Sequence, residues 1–464
     1  MKFFVYATTV ALSLCGTNGW AEEQAKPVDH TDKQSFELTA VAPPKPALKY
    51  QFMFDDLGDR LPGNAAILYL DSVLLLGTDT REKVQRAVEF RGTDKEQFGT
   101  LADSLELPSL MKELELAGRR KECDWQPPYR EMGAETLLPH LEPLVRGIGR
   151  LLWVRAHRQI EQGKPEEAVK TIRLGYEMAD KIGREGILVS GMVALSVDGM
   201  MDECVAELMS RPESPNLYWS LCELPTRWNV FRRSLDGERQ WALTSIPNLA
   251  KVRAGEQLSA DEWRGIFANI QRIMDLDQTA GHAHLSDMVK DTDQETLKTA
   301  RRDYAAAHGL SAAQAAEVEP ICVLGEYYYH QYELAYDEWF KLRGLAYPAM
   351  IERSKNFDAW AEKLKQEQPG NLLVQSSPKM VTTVGTFARA DRRLAALVAV
   401  EALRTFAAAN GGRLPEHLED VSETPVPPNP MTGRPFAYAV ADGVASISDS
   451  TLGDRLEYTI KFRK

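Results

Sequence analysis

Four side chains that bind metals or move protons recur in one stretch, where Glu326, His330, Glu333 and Asp337 stand at i, i+4, i+7 and i+11. On an α-helix that spacing sends all four out along one stripe, as helical bundles present carboxylates and imidazoles to a metal. The chemistry implied is that of a metal-dependent enzyme. Tyr328, Tyr332, Tyr336 and Trp339 fill the neighbouring stripe, so the same residues also describe an amphipathic helix with an acidic, solvated face and an aromatic core face. No Glu-x-x-His pair occurs elsewhere in the chain to complete a bundle site.

Three further groupings have chemical potential. His282 and His284 flank Ala283, with Asp287 and Asp291 following; alternate histidines grip one metal from an extended segment, but on a helix they diverge by about 200°. Cys123-Asp124-Trp125 precedes Pro127-Pro128, and Arg119, Arg120 and Lys121 are cations of the kind that activate a thiol. Asp124 opposes that effect, and a packed helix junction accounts for the same residues. Tyr218, Trp219, Trp228 and Trp241 put large aromatics close together in sequence, suited to a recognition surface or to packing between helices. Motifs for phosphate loops, zinc proteases, nucleophile elbows and dinucleotides (GxxxxGK[ST], HExxH, GxSxG, GxGxxG) do not occur, so no cofactor is expected.

The elements that must position these residues are helices. From about Thr80 to Glu367 the apolar residues recur every three to four positions, interrupted by Pro and Gly, and no strand-period segment of any length is visible. The clearest hairpin covers Leu151 to Lys181: Leu152, Ala156 and Ile160 line one helix, Gly163-Lys164-Pro165 turns the chain, and Ala168, Ile172 and Gly175 line the return. Upstream, Asn64 follows Pro62-Gly63 and is placed to cap a helix. The final residues change period. A helix over Ala388 to Asn410 stops at Gly411-Gly412, and Phe436/Tyr438/Val440, Ala445/Ile447 and Leu456/Tyr458/Ile460/Phe462 alternate as strands, the first two joined by Asp442-Gly443. The fold class expected is mainly α, an irregular domain of helical hairpins followed by a small α+β module with a helix on a short antiparallel sheet.

The start of the chain has the features of a secretory leader: Lys2, an apolar run from Phe3 to Leu14, and small residues at Gly19 and Ala21, which point to cleavage after Ala21. That run is short of the roughly 20 apolar residues a spanning helix needs, so no transmembrane anchor is expected after cleavage. Leu12-Ser13-Leu14-Cys15 offers a lipoprotein site as the minority reading, with Leu14 where Gly or Ala is wanted. Residues 22–47, with Pro27, Pro43, Pro44 and Pro46, read as a disordered tether. A formal net charge of -12 without a basic cluster argues against nucleic acid. Cys123, Cys204, Cys222 and Cys322 would remain after cleavage; Cys204 with Cys222 is the most local pairing, and four buried reduced thiols are the favoured state.

Two stretches resemble known families. The Leu151–Lys181 hairpin resembles one tetratricopeptide unit, although Gln159 stands where a large aromatic is usual and no second copy follows at the period of about 34 residues. Ala402-Leu403-Arg404-Thr405-Phe406, Asn410-Gly411-Gly412-Arg413-Leu414-Pro415 and Asn429-Pro430-Met431-Thr432-Gly433-Arg434-Pro435-Phe436-Ala437-Tyr438 look like the globular part of type II secretion major pseudopilins. Such proteins insert an N-terminal helix in the membrane, whereas here the module ends the chain. The chain as a whole resembles uncharacterised exported bacterial proteins with this tail, through Pro46-Ala47-Leu48-Lys49-Tyr50, Pro62-Gly63-Asn64-Ala65-Ala66, Cys123-Asp124-Trp125 and Asn216-Leu217-Tyr218-Trp219. The organisation expected is a leader over 1–21, the tether, a helical domain over 48–384 and a pseudopilin-like module over 385–464. The function expected is that of a periplasmic or secreted binding or scaffold protein with an envelope protein or peptide as partner. The alternatives are a metal-dependent enzyme built on residues 326–337 and an accessory of envelope secretion machinery.

Overall fold

The computed structural model describes residues 31–55, 57–126, 141–275, 292–368, 370–375 and 379–463. It is mainly helical with a small four-stranded mixed sheet, the class the hydrophobic spacing predicts. The longer helices in chain order are α1 (Ala65–Phe90), α2 (Lys95–Ser104), α3 (Pro108–Arg119), α4 (Arg150–Glu161), α5 (Pro165–Gly183), α6 (Leu188–Met209), α7 (Arg227–Ser245), α8 (Ala260–Asp275), α9 (Gln294–His308), α10 (Pro320–Leu342), α11 (Tyr347–Glu367) and α12 (Met380–Ala409). The strands are β1 (Thr31–Leu38), β2 (Leu61–Asn64), β3 (Arg120–Glu122), β4 (Ala437–Ala441), β5 (Val444–Asp449) and β6 (Arg455–Phe462). Residues 1–21, expected to be a leader, and Cys15 lie outside the described residues, and among those described no helix is long and apolar enough to cross a membrane.

The hairpin forms where the spacing places it. Gly163 takes φ +69 between α4 and α5, a conformation that favours glycine, and Pro165 opens α5 without an N–H to leave unpaired. On α5, a Cβ at Gly175 would stand 2.2 Å from the Met201 sulfur, so glycine is what lets α6 approach. Asn64 caps α1 by accepting from the Ala66 N–H at 3.1 Å. The short parallel ladder of β2 with β3 was not legible as period-two spacing, because each strand has only three or four residues.

Residues 31–41 are not a tether. Thr31–Leu38 is a strand that pairs in parallel with β6 at the edge of the sheet, whose order is β1-β6-β5-β4. Phe36 and Leu38 are buried, and the Phe36 ring meets Tyr458 edge-on. The alternation that marks the strand is confined to its end, after Lys33-Gln34, so the charged start masks it. Beyond β1 the buried Arg404 guanidinium donates to the Thr39 carbonyl, and the Asn216 amide donates to that of Val41. The boundary expected at 384/385 falls inside α12, one continuous helix that packs on α6, α7 and α11 and also serves the sheet. Arg389, Arg392 and Arg393 on α12 reach Asp454, Asp449 and Asp32 of the sheet region at 2.6, 2.6 and 3.0 Å. The β4–β5 turn is Asp442-Gly443 with both φ positive, as a two-residue hairpin requires.

Candidate functional site

The stripe on α10 forms as a helix face but its members are dispersed among separate partners. Glu326 meets His308 of α9 at 2.7 Å, Glu333 accepts from the Tyr329 hydroxyl at 2.5 Å and pairs with Arg239 of α7, and Asp337 pairs with Lys341 at 2.6 Å. His330 is exposed. Each acid is therefore satisfied by its nearest cation or hydroxyl, and the four do not converge. Among the described residues no three His, Cys, Asp or Glu side chains form a group that could hold a metal ion. His282, His284, Asp287 and Asp291 lie outside the described residues.

The described members of the aromatic set stand in different surroundings. Tyr218 is buried and its hydroxyl donates to the Pro425 carbonyl at 2.6 Å; Trp228 is half-buried against Phe231 and Tyr347; Trp219 reaches the surface. Trp241 falls on α7, and its side chain lies outside what is described. The four cysteines are free, with Cys204 and Cys322 buried, Cys123 partly so, and Cys222 exposed, which corrects the expectation of four buried thiols. Burial pushes the Cys123 thiol up to about 12, so the basic run before it does not make a nucleophile.

The charges that matter structurally lie between packed helices. Arg227, at the start of α7, is buried; its guanidinium stands 3.2 Å from Asp198 and 3.3 Å from Asp202 of α6, and Asp202 also accepts from the Tyr176 hydroxyl at 2.7 Å. Asp391 of α12 accepts from the backbone N–H groups of Arg227 and Trp228 at 2.8 and 3.0 Å and from the Tyr347 hydroxyl at 2.7 Å. A carboxylate from one helix thus caps the N-terminus of another. The same device recurs twice. Asp358 of α11 accepts from Met380 and Val381 at the start of α12, and Glu238 of α7 accepts from Leu188 at the start of α6. The caps run in series from α11 to α12, α12 to α7 and α7 to α6, each satisfying N–H groups that a helix end leaves open.

Burial raises the carboxyls of Asp198 and Glu238 to about 7, against the pull of Arg227 on the one and the Leu188 N–H on the other. Glu207 shows the contrary balance. Burial works upward there too, but His157, at 2.6 Å, and Arg211 hold it down at about 2. Beside Arg227, Asp180, Asp198, Tyr176, Met53 and Leu224 line a cleft of about 10 Å³, the space of roughly one water. It is too small for a substrate, so this junction is a lock between helices.

What remains is a surface. Ile67, Leu70, Leu74 and Leu75 emerge together from the first half of α1 and are 60%, 39%, 78% and 62% exposed, while Tyr69, Ser72 and Leu76 face the core. Asp71 lies exposed within the stripe, and Gly77, at φ +64, kinks the helix where the stripe ends. The signal was present in Leu68-Tyr69-Leu70-Asp71-Ser72-Val73-Leu74-Leu75-Leu76: a helix apolar on nearly every side has more apolar surface than its neighbours in a small bundle cover. No family model matches the chain, and neither a curated protein nor a solved structure does.

Proposed function

We propose that this protein acts as an exported binding or scaffold protein of the cell envelope, holding another polypeptide against the first half of α1. The observation that carries the reading is the exposed stripe Ile67, Leu70, Leu74 and Leu75, spaced as one helix face presents anchors to a partner. Asp71 within it selects the occupant. A lipid surface would have to take that carboxylate among acyl chains. An antiparallel second copy centred on the stripe would set two Asp71 side chains against each other at the dyad. An amphipathic helix carrying one Lys or Arg among its leucines meets both the apolar residues and the charge.

The test uses a fluorescent helical peptide with leucines at i, i+3 and i+7 and one arginine beside them. Binding in roughly the micromolar range is expected, weakened at least tenfold by Leu74→Asp and lost when the peptide arginine is replaced by glutamate. Leu74→Asp should leave the melting temperature within about 2 °C of the wild type, as a surface change does. A fall of many degrees together with no peptide binding would mean that the stripe is covered by the chain itself, and the reading would be lost. Export is tested separately, by the N-terminal sequence of protein recovered from the envelope fraction. Residue 22 at that terminus supports it, and retained Met1 in a cytoplasmic fraction removes it.

Among the described residues the metal-enzyme alternative has no converging ligand set to rest on. An accessory role in envelope secretion is a narrower form of the binding role, supported by the likeness of the tail residues to pseudopilin globular parts.

A further inference from the structure

The sheet has two edges of different character. β1 carries exposed Lys33 and Glu37, the sort of charged side chains with which natural edges discourage pairing, and it packs beside α6. β4, at the other edge, reads Ala437-Tyr438-Ala439-Val440-Ala441, without charge, proline or bulge. Tyr438 is half-buried and the other four residues are exposed. Among the described residues only β5 pairs with it, so its outer side presents N–H and C=O groups ready for another strand.

The residues around this edge say which strand fits. Arg434 stands before β4 and Asp442 directly after it, both exposed and neither in an ion pair among the described residues. The geometry points to a second copy of this chain, joined through β4 in an antiparallel two-fold pair centred on Ala439. In that register Ala437 faces Ala441 of the second copy and Tyr438 faces its Val440. Arg434 then lies diagonal to Asp442 of the second copy, within reach of a long side chain, and the dyad repeats the pair at the other end. Parallel pairing would set Arg434 beside Arg434 and gain nothing from the charges. The two four-stranded sheets become one of eight. Five residue pairs bury less than the roughly 1,000 Å² expected of a stable interface, so the dimer is weak and depends on concentration.

The pairing is independent of the α1 stripe and is tested by sedimentation velocity on the whole protein from about 5 µM to 500 µM at low salt. A reversible monomer–dimer equilibrium is expected. Arg434→Asp and Asp442→Arg each place like charges at both ends of the ladder and should weaken the dimer about fivefold, while their equimolar mixture restores it, because only the heterodimer pairs opposite charges at both ends. Ala439→Lys sets two ammonium groups at the dyad and should leave a monomer with unchanged circular dichroism. A wild-type protein that is monomeric across the range overturns the proposal. So does a dimer indifferent to these substitutions, or charge variants whose mixture behaves as either one alone.

Discussion

The acidic stripe of α10 and the acids buried along α5, α6 and α12 use the same side chains to opposite effect. On α10 the acids are crowded, exposed or half-exposed, and each is answered by a cation or hydroxyl nearby. Asp391, Asp202 and Glu177 are buried and each holds partners from distant parts of the chain, while the buried Glu401 holds Arg404, which itself reaches across the fold. The first arrangement is solvated and locally redundant, and the second specifies which helix end meets which helix flank. Chemical conspicuousness in a sequence is therefore a poor guide to structural consequence: an acid buried between helices decides more than a row of acids on a helix face.

The contrast is sharpest at Asp391. Asp391→Ala leaves two helix N–H groups and the Tyr347 hydroxyl without their acceptor and removes a neighbour of Arg227. It should cost about 3–5 kcal/mol in urea unfolding. Arg404→Met comes next. It strands the buried Glu401 and releases the carbonyls of Thr39, Ser214 and Pro215. A loss of about 3 kcal/mol is expected, with faster proteolysis near residue 40 as the local readout.

The pH dependence probes two further acids at the same helix junctions. For Asp198 and Glu238 the folded carboxyls, at about 7, bind protons more tightly than the unfolded ones near 4. Their contribution to stability is therefore full below the unfolded values and declines as pH rises through the window from about 4 to 7. The melting temperature should drop between pH 5 and pH 8, and the drop should be shallower in Asp198→Asn with Glu238→Gln. A steeper or unchanged slope in that double variant would place the titrating groups elsewhere. Smallest of all, Glu326→Ala and Asp337→Ala should each shift stability by less than about 1 kcal/mol. If either matched Asp391→Ala, the contrast between solvated and buried acids would collapse.

Much of the architecture was legible because it depends on period. The α4–α5 hairpin with its Gly163 turn, the Asn64 cap, and the alternation of β4, β5 and β6 around Asp442-Gly443 all follow from neighbours in sequence. Long-range geometry was not. Nothing near Thr31 announces that its partner is Arg455, and nothing near Glu238 announces that it caps Leu188. The candidate metal stripe was read correctly as a helix face, but which cations face it depends on where α7 and α9 pack. The all-round apolar start of α1 did carry a readable surplus of leucine.

Because β1 completes the sheet beside β6, the Asp32 carboxylate and the Tyr458 hydroxyl lie at 3.2 Å although 426 positions separate them. A chain threaded through a membrane N-terminus first would deliver its opening strand long before the strand it docks on exists on the far side. If the chain is exported in that way, as proposed above, β1 stays unpaired until β6 has emerged, and closing the β1–β6 ladder is a late step. Refolding should accordingly show late protection of the amides in both, and a shortened chain lacking β6 should leave Phe36 and Leu38 exposed.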